Sequence, residues 1–326
     1  MKNTKKTHIP LFLLLIAIVI TVLLVNFACK PEKEKMYVVG IINPHAEARE
    51  SGKGFISKMK EFGYVEGENI TYIKHESKEN IDDALKEMVA KNVDMIFTYT
   101  TPAAKKAKQF TANTNIPVVF ILFDAVEAGL VKSLSQPSGN LTGIQLRGST
   151  AKSVEWLTAV GPDIKNMFVP IVYDTKAASL TLDDIKKGAA KLNVNIIVSE
   201  SSTVEELHES LSSIPEDIDA IFIPHSILIE ANLETIIDRA IELKIPLASS
   251  GHEHFRIGTL VCYGPEDTIS GEQAARLADK ILRGEPPGYV PVETSEFFLG
   301  INLQTARDIG IEVPEVVLKQ ANFIVR

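Results

Sequence analysis

Short apolar runs alternate with amphipathic segments along most of the chain, which indicates repeated strand–helix units. Residues 37–42 form a continuous apolar run, the pattern of a parallel strand that is covered on both faces. Between residues 55 and 62 the apolar positions recur at helical spacing, and Gly63 ends the predicted helix. Strands and helices in such a succession predict a parallel sheet with right-handed crossovers.

The pattern occurs twice. The segment 137–140 interrupts it, and residues 141–145 are predicted as the first strand that crosses between the two halves. The fold class we predict is α/β, with two Rossmann-like doubly wound lobes; a single large doubly wound domain is the alternative. Further strands are predicted at 70–73, 93–98, 117–122, 167–173, 194–198, 220–223 and 245–248. Helices are predicted at 80–91 with Asn80 as the N-cap, from 102, and at 127–134, 152–160, 179–192, 204–212 and 228–243.

This pattern leads to a division of the chain. We expect a signal peptide or membrane anchor at 1–28 and a charged tether at 29–35. Lobe 1 is expected at 36–144, with about 264–290 returning to it, and lobe 2 at 145–263, with about 291–326 as a candidate to return there.

The N-terminal segment has the features of an export signal. Three lysines precede an apolar stretch at 9–25, and a small residue, Ala28, precedes Cys29. The order resembles a bacterial lipoprotein signal, in which Cys29 is lipidated, although Asn26 stands where an aliphatic residue is usual. The stretch is almost long enough to span a bilayer, so an uncleaved anchor is the alternative. We therefore expect an extracytoplasmic protein, anchored at the membrane or periplasmic.

The composition excludes disordered, collagen-like and disulfide-scaffold proteins. The chain has 326 residues, of which 45% are hydrophobic and 23% charged, as in an ordinary folded protein. Its net charge of −8 argues against a nucleic-acid partner. With only two cysteines, Cys262 has no internal disulfide partner once Cys29 is lipidated. Stability must therefore come from packed cores.

Several segments together resemble one bacterial family. The turn Gly-Tyr-Val-Glu-Gly-Glu-Asn-Ile at 63–70, the segment at 124–134 and Pro-Ser-Gly-Asn-Leu-Thr-Gly at 137–143 are similar to ABC-transporter substrate-binding proteins of the tryptophan/tyrosine type. Near the end, 271–293 and 301–306 resemble the closing stretch of that family. The matches occur in family order from Met36 to the C-terminus, so together they are specific.

The resemblance implies a fold and a function. The fold is the type I periplasmic-binding-protein arrangement, in which hinge strands join two lobes and a small-molecule ligand is clamped between them. The implied partner is an ABC permease driven by a separate ATPase, since the chain has no phosphate-binding loop of the GxxxxGK[ST] form. An extracytoplasmic sensory or docking module with the same clamp is the alternative from another class.

The loops that follow the predicted strands supply candidate ligand contacts, because ligands of doubly wound sheets lie beyond the carboxyl ends of the strands. Asn43 and His45 follow the first strand. Thr100 and Thr101 precede a proline at a helix start, where free amides suit a ligand carboxylate. A plain N-cap without a ligand is the alternative for these threonines.

Asp124 occupies the position of the family's Asp in the segment at 124–134, which implies that it pairs a ligand ammonium; an acidic helix cap is the alternative. Tyr173 ends a predicted strand and could stack on a ring or a cation, or it could be a buried core tyrosine. Ser250 lies in the loop after the strand at 245–248.

His225 and Ser226 stand where the resembled family has Asp-Asn. A neutral His would counter an ammonium poorly, so this departure favours a more anionic or polar ligand. Four histidines (His45, His225, His252 and His254) fall in loops predicted to ring one cleft, which raises a transition-metal site as a weaker alternative to polar ligand contacts.

The chain contains no GxSxG or HExxH motif, so we expect neither an enzyme nor a cofactor. The predicted function is an extracytoplasmic solute-binding component of an ABC importer that clamps a small polar ligand, an amino acid or similar. The predicted ligand-binding residues are Asn43, His45, Thr100, Thr101, Asp124, Tyr173, His225, Ser226 and Ser250.

Overall fold

The computed structural model describes residues 35–44, 46–148, 150–161, 163–251 and 253–326. The predictions for the signal or anchor segment, for Cys29 and most of the tether, and for His45 and His252 lie outside the described residues. Among the described residues, no helix combines the length and the apolar character that crossing a membrane requires.

The strands form two sheets. In the first sheet all pairings are parallel, and the strand order is β2-β1-β3-β4-β5-β11. In the second the order is β7-β6-β8-β9-β10-β12-β13, where only the β10–β12 pairing is antiparallel among the described strands. The strands are β1 (Tyr37–Ile42), β2 (Ile70–His75), β3 (Met95–Tyr99), β4 (Val118–Leu122), β5 (Leu141–Gln145), β6 (Asn166–Ile171), β7 (Asn195–Glu200), β8 (Ala220–Ile223), β9 (Leu247–Ser249), β10 (Val261–Pro265), β11 (Glu293–Thr294), β12 (Phe297–Asn302) and β13 (Phe323–Val325).

Helices cover both sheets. Each sheet with its helices is called a lobe below: lobe 1 contains the first sheet and lobe 2 the second. The helices are α1 (Ala46–Glu61), α2 (Ile81–Ala90), α3 (Thr101–Thr111), α4 (Thr150–Val160), α5 (Lys176–Leu192), α6 (Val204–Ser212), α7 (Ile227–Ala231), α8 (Leu233–Leu243), α9 (His254–Ile257), α10 (Asp267–Leu282), α11 (Leu303–Ile309) and α12 (Glu315–Leu318). A short 3₁₀ helix lies at Pro287–Tyr289.

Each lobe has its own core. In lobe 1, side chains of α1 and α10 pack on one face of the sheet, where the Phe55 ring stacks on Phe97 with centroids 4.3 Å apart. Side chains of α2 and α3, including Met88 and Ala104, cover the other face. In lobe 2, buried residues of α4, α5, α8 and α11 pack with the strands as one cluster. Burial on both faces explains why the strands are continuous apolar runs.

Within the described residues the chain passes between the lobes three times, after β5, after β10 and after β11. As a result α10, which follows a strand of lobe 2, packs along α1 in lobe 1. Glycine permits this close approach: a Cβ atom on Gly271 would lie 2.0 Å from the carbonyl oxygen of Ser51. The return to the second sheet begins with β12, since Glu293 and Thr294 pair with β5 in the first sheet.

Three local predictions are wrong. The helix predicted at 127–134 is a series of turns, because Gly129 adopts a φ of 69° and Asp124 caps the amides of Val126 and Glu127. The helix predicted at 228–243 is divided into α7 and α8 at Asn232. Asn80 precedes α2 in the left-handed conformation and makes no capping hydrogen bond through its side chain.

Candidate ligand-binding cleft

The strand-end loops of the two lobes meet in space. Strand order reverses between β1 and β3 in lobe 1 and between β6 and β8 in lobe 2, and such reversals open a crevice beyond the carboxyl ends of the strands. Across this crevice the ring of Phe123, after β4, stacks on the ring of His225, after β8. Their centroids are 5.5 Å apart and their planes differ by 7°. The candidate residues after these strands therefore border one cleft.

Asn43 lies where β1 ends and is 2% exposed. Its backbone N–H donates to the carbonyl of His75 at 2.9 Å, but its side-chain oxygen has no hydrogen-bond partner among the described residues. The amide group packs against α1, where a Cβ atom on Gly52 would lie 2.3 Å from Nδ2. Buried polar atoms are nearly always paired, so this oxygen marks a place where a partner is expected.

Thr100 makes a strained turn between β3 and α3. Its φ of 88° and ψ of 147° lie in a region that is essentially reserved for glycine, at a cost of about 1–3 kcal/mol. Its N–H donates to the carbonyl of Ile121 at 2.9 Å, and its hydroxyl accepts from the amide of Ala103 at 3.4 Å. Thr101 and Pro102 then open the helix. Pro102 has no N–H, and the amides of Ala103 and Ala104 donate to Thr100, so the N–H of Thr101 and the helix dipole are what this first turn offers to an anion.

Both oxygens of Asp124 are engaged. Oδ1 accepts from the amides of Val126 and Glu127, at 3.1 and 2.9 Å, and Oδ2 pairs with Nη1 of Arg147 at 2.9 Å. In this structure Asp124 is thus a cap for the following turn, the alternative that the sequence left open, and a partner of Arg147. The ligand contact expected of Asp124 would require these bonds to rearrange.

Arg147 was not predicted as a site residue. Its Nε and Nη2 donate to the two oxygens of Asp184 on α5 at 2.9 and 3.0 Å, so the guanidinium joins Asp124 of lobe 1 to a helix of lobe 2. The hydrogen bond to Asp184 raises the pKa of Arg147, burial lowers it, and Asp124 raises it further, with a net increase. The only signal in the sequence is its place just after the crossing strand β5.

One cavity lies beside these elements and another lies apart from them. One of about 460 Å³ borders the salt bridge and is lined in part by Arg147, Asp184 and Lys187. The other, of about 390 Å³, lies around Lys244 and Pro246 in lobe 2, away from the strand ends that form the cleft. Neither includes the Phe123–His225 contact.

Tyr173 follows β6 with half of its surface exposed (50%), so the alternative of a buried core tyrosine is wrong. Its hydroxyl donates to Oε1 of Glu200 at 3.3 Å. Desolvation raises the pKa of Tyr173, and the nearby carboxylate of Glu200 raises it further. The exposed ring could stack on a ligand.

Ser226 is buried and caps α7. Its hydroxyl donates to Oδ2 of Asp174 at 3.0 Å and accepts from the amide of Ile229 at 3.4 Å. The same Asp174 oxygen accepts from the amide of Leu228 at 2.9 Å. Ser226 is therefore a structural cap of α7. The other predicted serine, Ser250, follows β9 and is half-buried.

His225 forms an ion pair with Glu230, a residue of α7 that is not among the predicted ligand-binding residues. Nδ1 lies 2.5 Å from Oε1 of Glu230. Desolvation lowers the pKa of His225, but Glu230, Asp174 and Asp267 more than offset this, so the net pKa is raised. Desolvation raises the pKa of Glu230, but His225 makes the net shift a decrease. The pair therefore favours the imidazolium and not the neutral ring assumed from sequence.

His254 is the second described histidine of this cluster. Its Nδ1 lies 2.7 Å from the hydroxyl of Ser249. Desolvation and the neighbouring His225 lower its pKa more than Glu230 and Glu253 raise it. Within the described ranges, no three or more His, Cys, Asp or Glu side chains are arranged to hold a metal ion.

Asp267 brings an acid of lobe 1 to the same place. It begins α10, its Oδ1 accepts from the hydroxyl of Tyr99 at 2.9 Å, and its charge raises the pKa of His225. The capping residue of α10 is Glu266, whose carboxylate accepts from the amide of Ile269 at 2.7 Å. Acids from both lobes thus surround His225.

The comparison with known families decides the class of protein. The family described as "ABC transporter substrate binding protein" matches residues 35–325. The chain belongs to this family. The resemblance drawn from the segments at 63–70, 124–134 and 137–143 is therefore confirmed.

Relatives of this substrate-binding protein agree with that assignment. The "Tyrosine-binding protein" of Clostridioides difficile (strain R20291) is 29% identical over 293 residues, which cover 87% of this chain and 84% of the relative. A ligand-free, open structure of a substrate-binding protein with adhesive properties from Clostridium difficile has a TM-score of 0.78 at 25% identity, covering 89% of this chain and 99% of the other. The structure of an ABC domain from Streptococcus pneumoniae in complex with L-Trp has a TM-score of 0.76 at 23% identity, covering 89% of this chain and all of the other (100%).

These likenesses confirm the fold class. The substrate-binding protein has the type I periplasmic-binding-protein arrangement of two doubly wound lobes joined by a hinge.

Proposed function

We propose that this substrate-binding protein is the extracytoplasmic component of an ABC importer, which holds an amino acid between its lobes and delivers it to a permease with a separate ATPase. The cleft supports an amino acid because it offers features for both ends of a zwitterion. The N–H of Thr101 and the dipole at the start of α3 suit a carboxylate. The acids around His225, chiefly Asp267, suit an ammonium.

The observation that carries the proposal is that strand-end loops of both lobes face one another at the Phe123–His225 contact. A ligand that touches both lobes favours the closed form, since it binds that form better than the open one. The exposed ring of Tyr173 supports a ligand with an aromatic side chain. The names of two relatives, tyrosine-binding and bound to L-Trp, point the same way.

Isothermal titration of the full chain against the proteinogenic amino acids tests the ligand class, starting with L-tyrosine and L-tryptophan. We expect Asp267→Asn to weaken binding by about tenfold or more, the loss expected for a charge-assisted hydrogen bond. Glu209→Gln, which removes an exposed carboxylate on α6, is the matched control and should bind as the wild type does. Absence of binding across the whole panel would remove the proposal.

Uptake distinguishes import from sensing or docking. Cells that lack this protein should lose accumulation of the labelled amino acid, and the full chain should restore it. Unchanged uptake together with normal binding would favour a sensory or docking module instead.

Anchoring through Cys29 is part of the proposal. Metabolic labelling with an alkyne fatty acid should mark the wild-type chain and not Cys29→Ser. Cys262→Ser is the control, because Cys262 is buried and should not change labelling. A membrane-bound but unlabelled wild type would favour the uncleaved anchor.

A further inference from the structure

The contact between Phe123 and His225 is a direct meeting of side chains from the two lobes. The rings are nearly parallel, with centroids 5.5 Å apart. The backbone on either side holds them in place: the carbonyl of Phe123 accepts from the amide of Arg147 at 2.7 Å, and Ser226 caps α7 directly after His225. The orientation of the imidazole therefore determines whether these two loops can pack together.

The orientation of His225 is set within lobe 2. Asp174, after β6, accepts from the hydroxyl of Ser226 and the amide of Leu228, which fixes the start of α7. On this helix Glu230 then holds Nδ1 of His225 at 2.5 Å. The ring is thus aligned by bonds that do not depend on lobe 1, and one of its faces is left to Phe123.

Charged groups face His225 from four elements. Glu230 lies on α7, Asp174 follows β6, Asp267 begins α10 of lobe 1, and His254 lies on α9. The imidazole is 45% exposed, and its partial desolvation disfavours the imidazolium, but the three carboxylates together more than offset this, so the pKa of His225 is raised. His254 has a lowered pKa and contributes little charge near neutral pH.

We propose that His225, positioned by Glu230, is a proton-dependent closing contact between the lobes, in which the imidazolium packs on Phe123. An imidazolium over an aromatic face gains a cation–π attraction that the neutral ring lacks, and Asp267 adds attraction from across the cleft. Because both interactions require the proton, the closed form holds it more tightly than the open form. Closure is therefore favoured below the raised pKa and weakens as the pH rises through it. The inference rests on the proposed clamp function.

The binding experiment measures the affinity of the full chain for L-tyrosine at successive pH values from about pH 6 to about pH 8.5, because the pKa of His225 is raised above its ordinary value. We expect the wild-type affinity to fall about threefold across this range, the size of an exposed cation–π contact. His225→Gln keeps a planar polar side chain and should bind with the same affinity throughout the range. The inference would be overturned if the wild-type affinity for L-tyrosine did not depend on pH. It would also be overturned if the affinity of His225→Gln fell with pH as much as that of the wild type.

A second measurement needs no ligand. Titration of the histidine ring signals by NMR, with His225 assigned from His225→Gln, reports the pKa of His225 in the full chain. Phe123→Leu keeps an apolar cover but removes the π face, and should lower that pKa; Phe62→Leu, elsewhere in lobe 1, should not change it. Equal values in the wild type and Phe123→Leu would refute the contact between lobes. If no amino acid binds at any pH, the proposed function fails while this titration still decides on the contact.

Discussion

Arg147 and Asp184 form a salt bridge of two parallel hydrogen bonds, with N–O distances of 2.9 and 3.0 Å, between the crossing segment after β5 and helix α5 of lobe 2. The side chains are only 22% and 15% exposed, so the pair is shielded from solvent more than a surface ion pair. Because Arg147 also binds Asp124 of lobe 1, one guanidinium connects the lobes beside the hinge. The planar fork of arginine suits this double role, which a lysine could not fill.

Removing one partner of this bridge should therefore destabilise the protein. We expect Asp184→Asn to lower the free energy of unfolding by about 1–3 kcal/mol, the range for a charge-assisted hydrogen bond that loses its partner. Urea denaturation measures the loss. Lys187→Ala is the control: its ammonium lies 3.6 Å from Asp184 and its side chain is 68% exposed, so the change should stay below about 0.5 kcal/mol. Equal effects of the two substitutions would contradict the role given to Arg147.

The backbone strain at Thr100 leads to a comparison of two substitutions. Thr100→Gly and Thr100→Ala both remove the capping hydroxyl, but only glycine adopts a φ of 88° and a ψ of 147° without strain. We expect the glycine variant to be more stable than the alanine variant by about 1 kcal/mol in denaturant unfolding, although glycine usually lowers stability elsewhere. An alanine variant of equal or greater stability would show that Thr100 is not strained.

The sequence predicts more of the fold than of the cleft. Apolar runs and helical spacing suffice to predict the strands and most helices, because a sheet buried on both faces requires apolar residues that follow one another in the sequence. The partners of His225 are different: Glu230 is on the next helix, but Asp267 follows more than forty residues later and reaches the cleft only because α10 returns to lobe 1. Arg147 likewise meets Asp184 through the arrangement of the lobes, for which no local pattern exists.

Alkaline pH should weaken the packing of α10 on lobe 1. Tyr64 is 8% exposed, its hydroxyl donates to Oδ1 of Asp279 at 3.1 Å, and burial followed by this carboxylate raises its pKa to about 12. The folded state thus retains the phenol proton, so the stabilisation is complete below pH ~10 and is lost as the pH rises toward about 12. We expect the unfolding free energy of the wild type to fall in this window and that of Tyr64→Phe to fall less, as followed by urea denaturation at successive pH values. If the unfolding free energies of the wild type and Tyr64→Phe fell equally with pH, the loss of stability at alkaline pH would come from groups other than Tyr64.

The close contact between α1 and α10 should not tolerate a methyl group. A Cβ atom on Gly271 would lie 2.0 Å from the backbone oxygen of Ser51, and neither helix can yield without disturbing the buried residues beside it. We expect Gly271→Ala to lower the unfolding free energy by about 2 kcal/mol or more, despite the higher helix propensity of alanine, because overpacking of a close contact exceeds that gain. Lys280→Ala, at an exposed position of the same helix, is the matched control and should stay within about 0.5 kcal/mol of the wild type. If Gly271→Ala were as stable as this control in urea denaturation, the helices would not cross as closely as the structure has them.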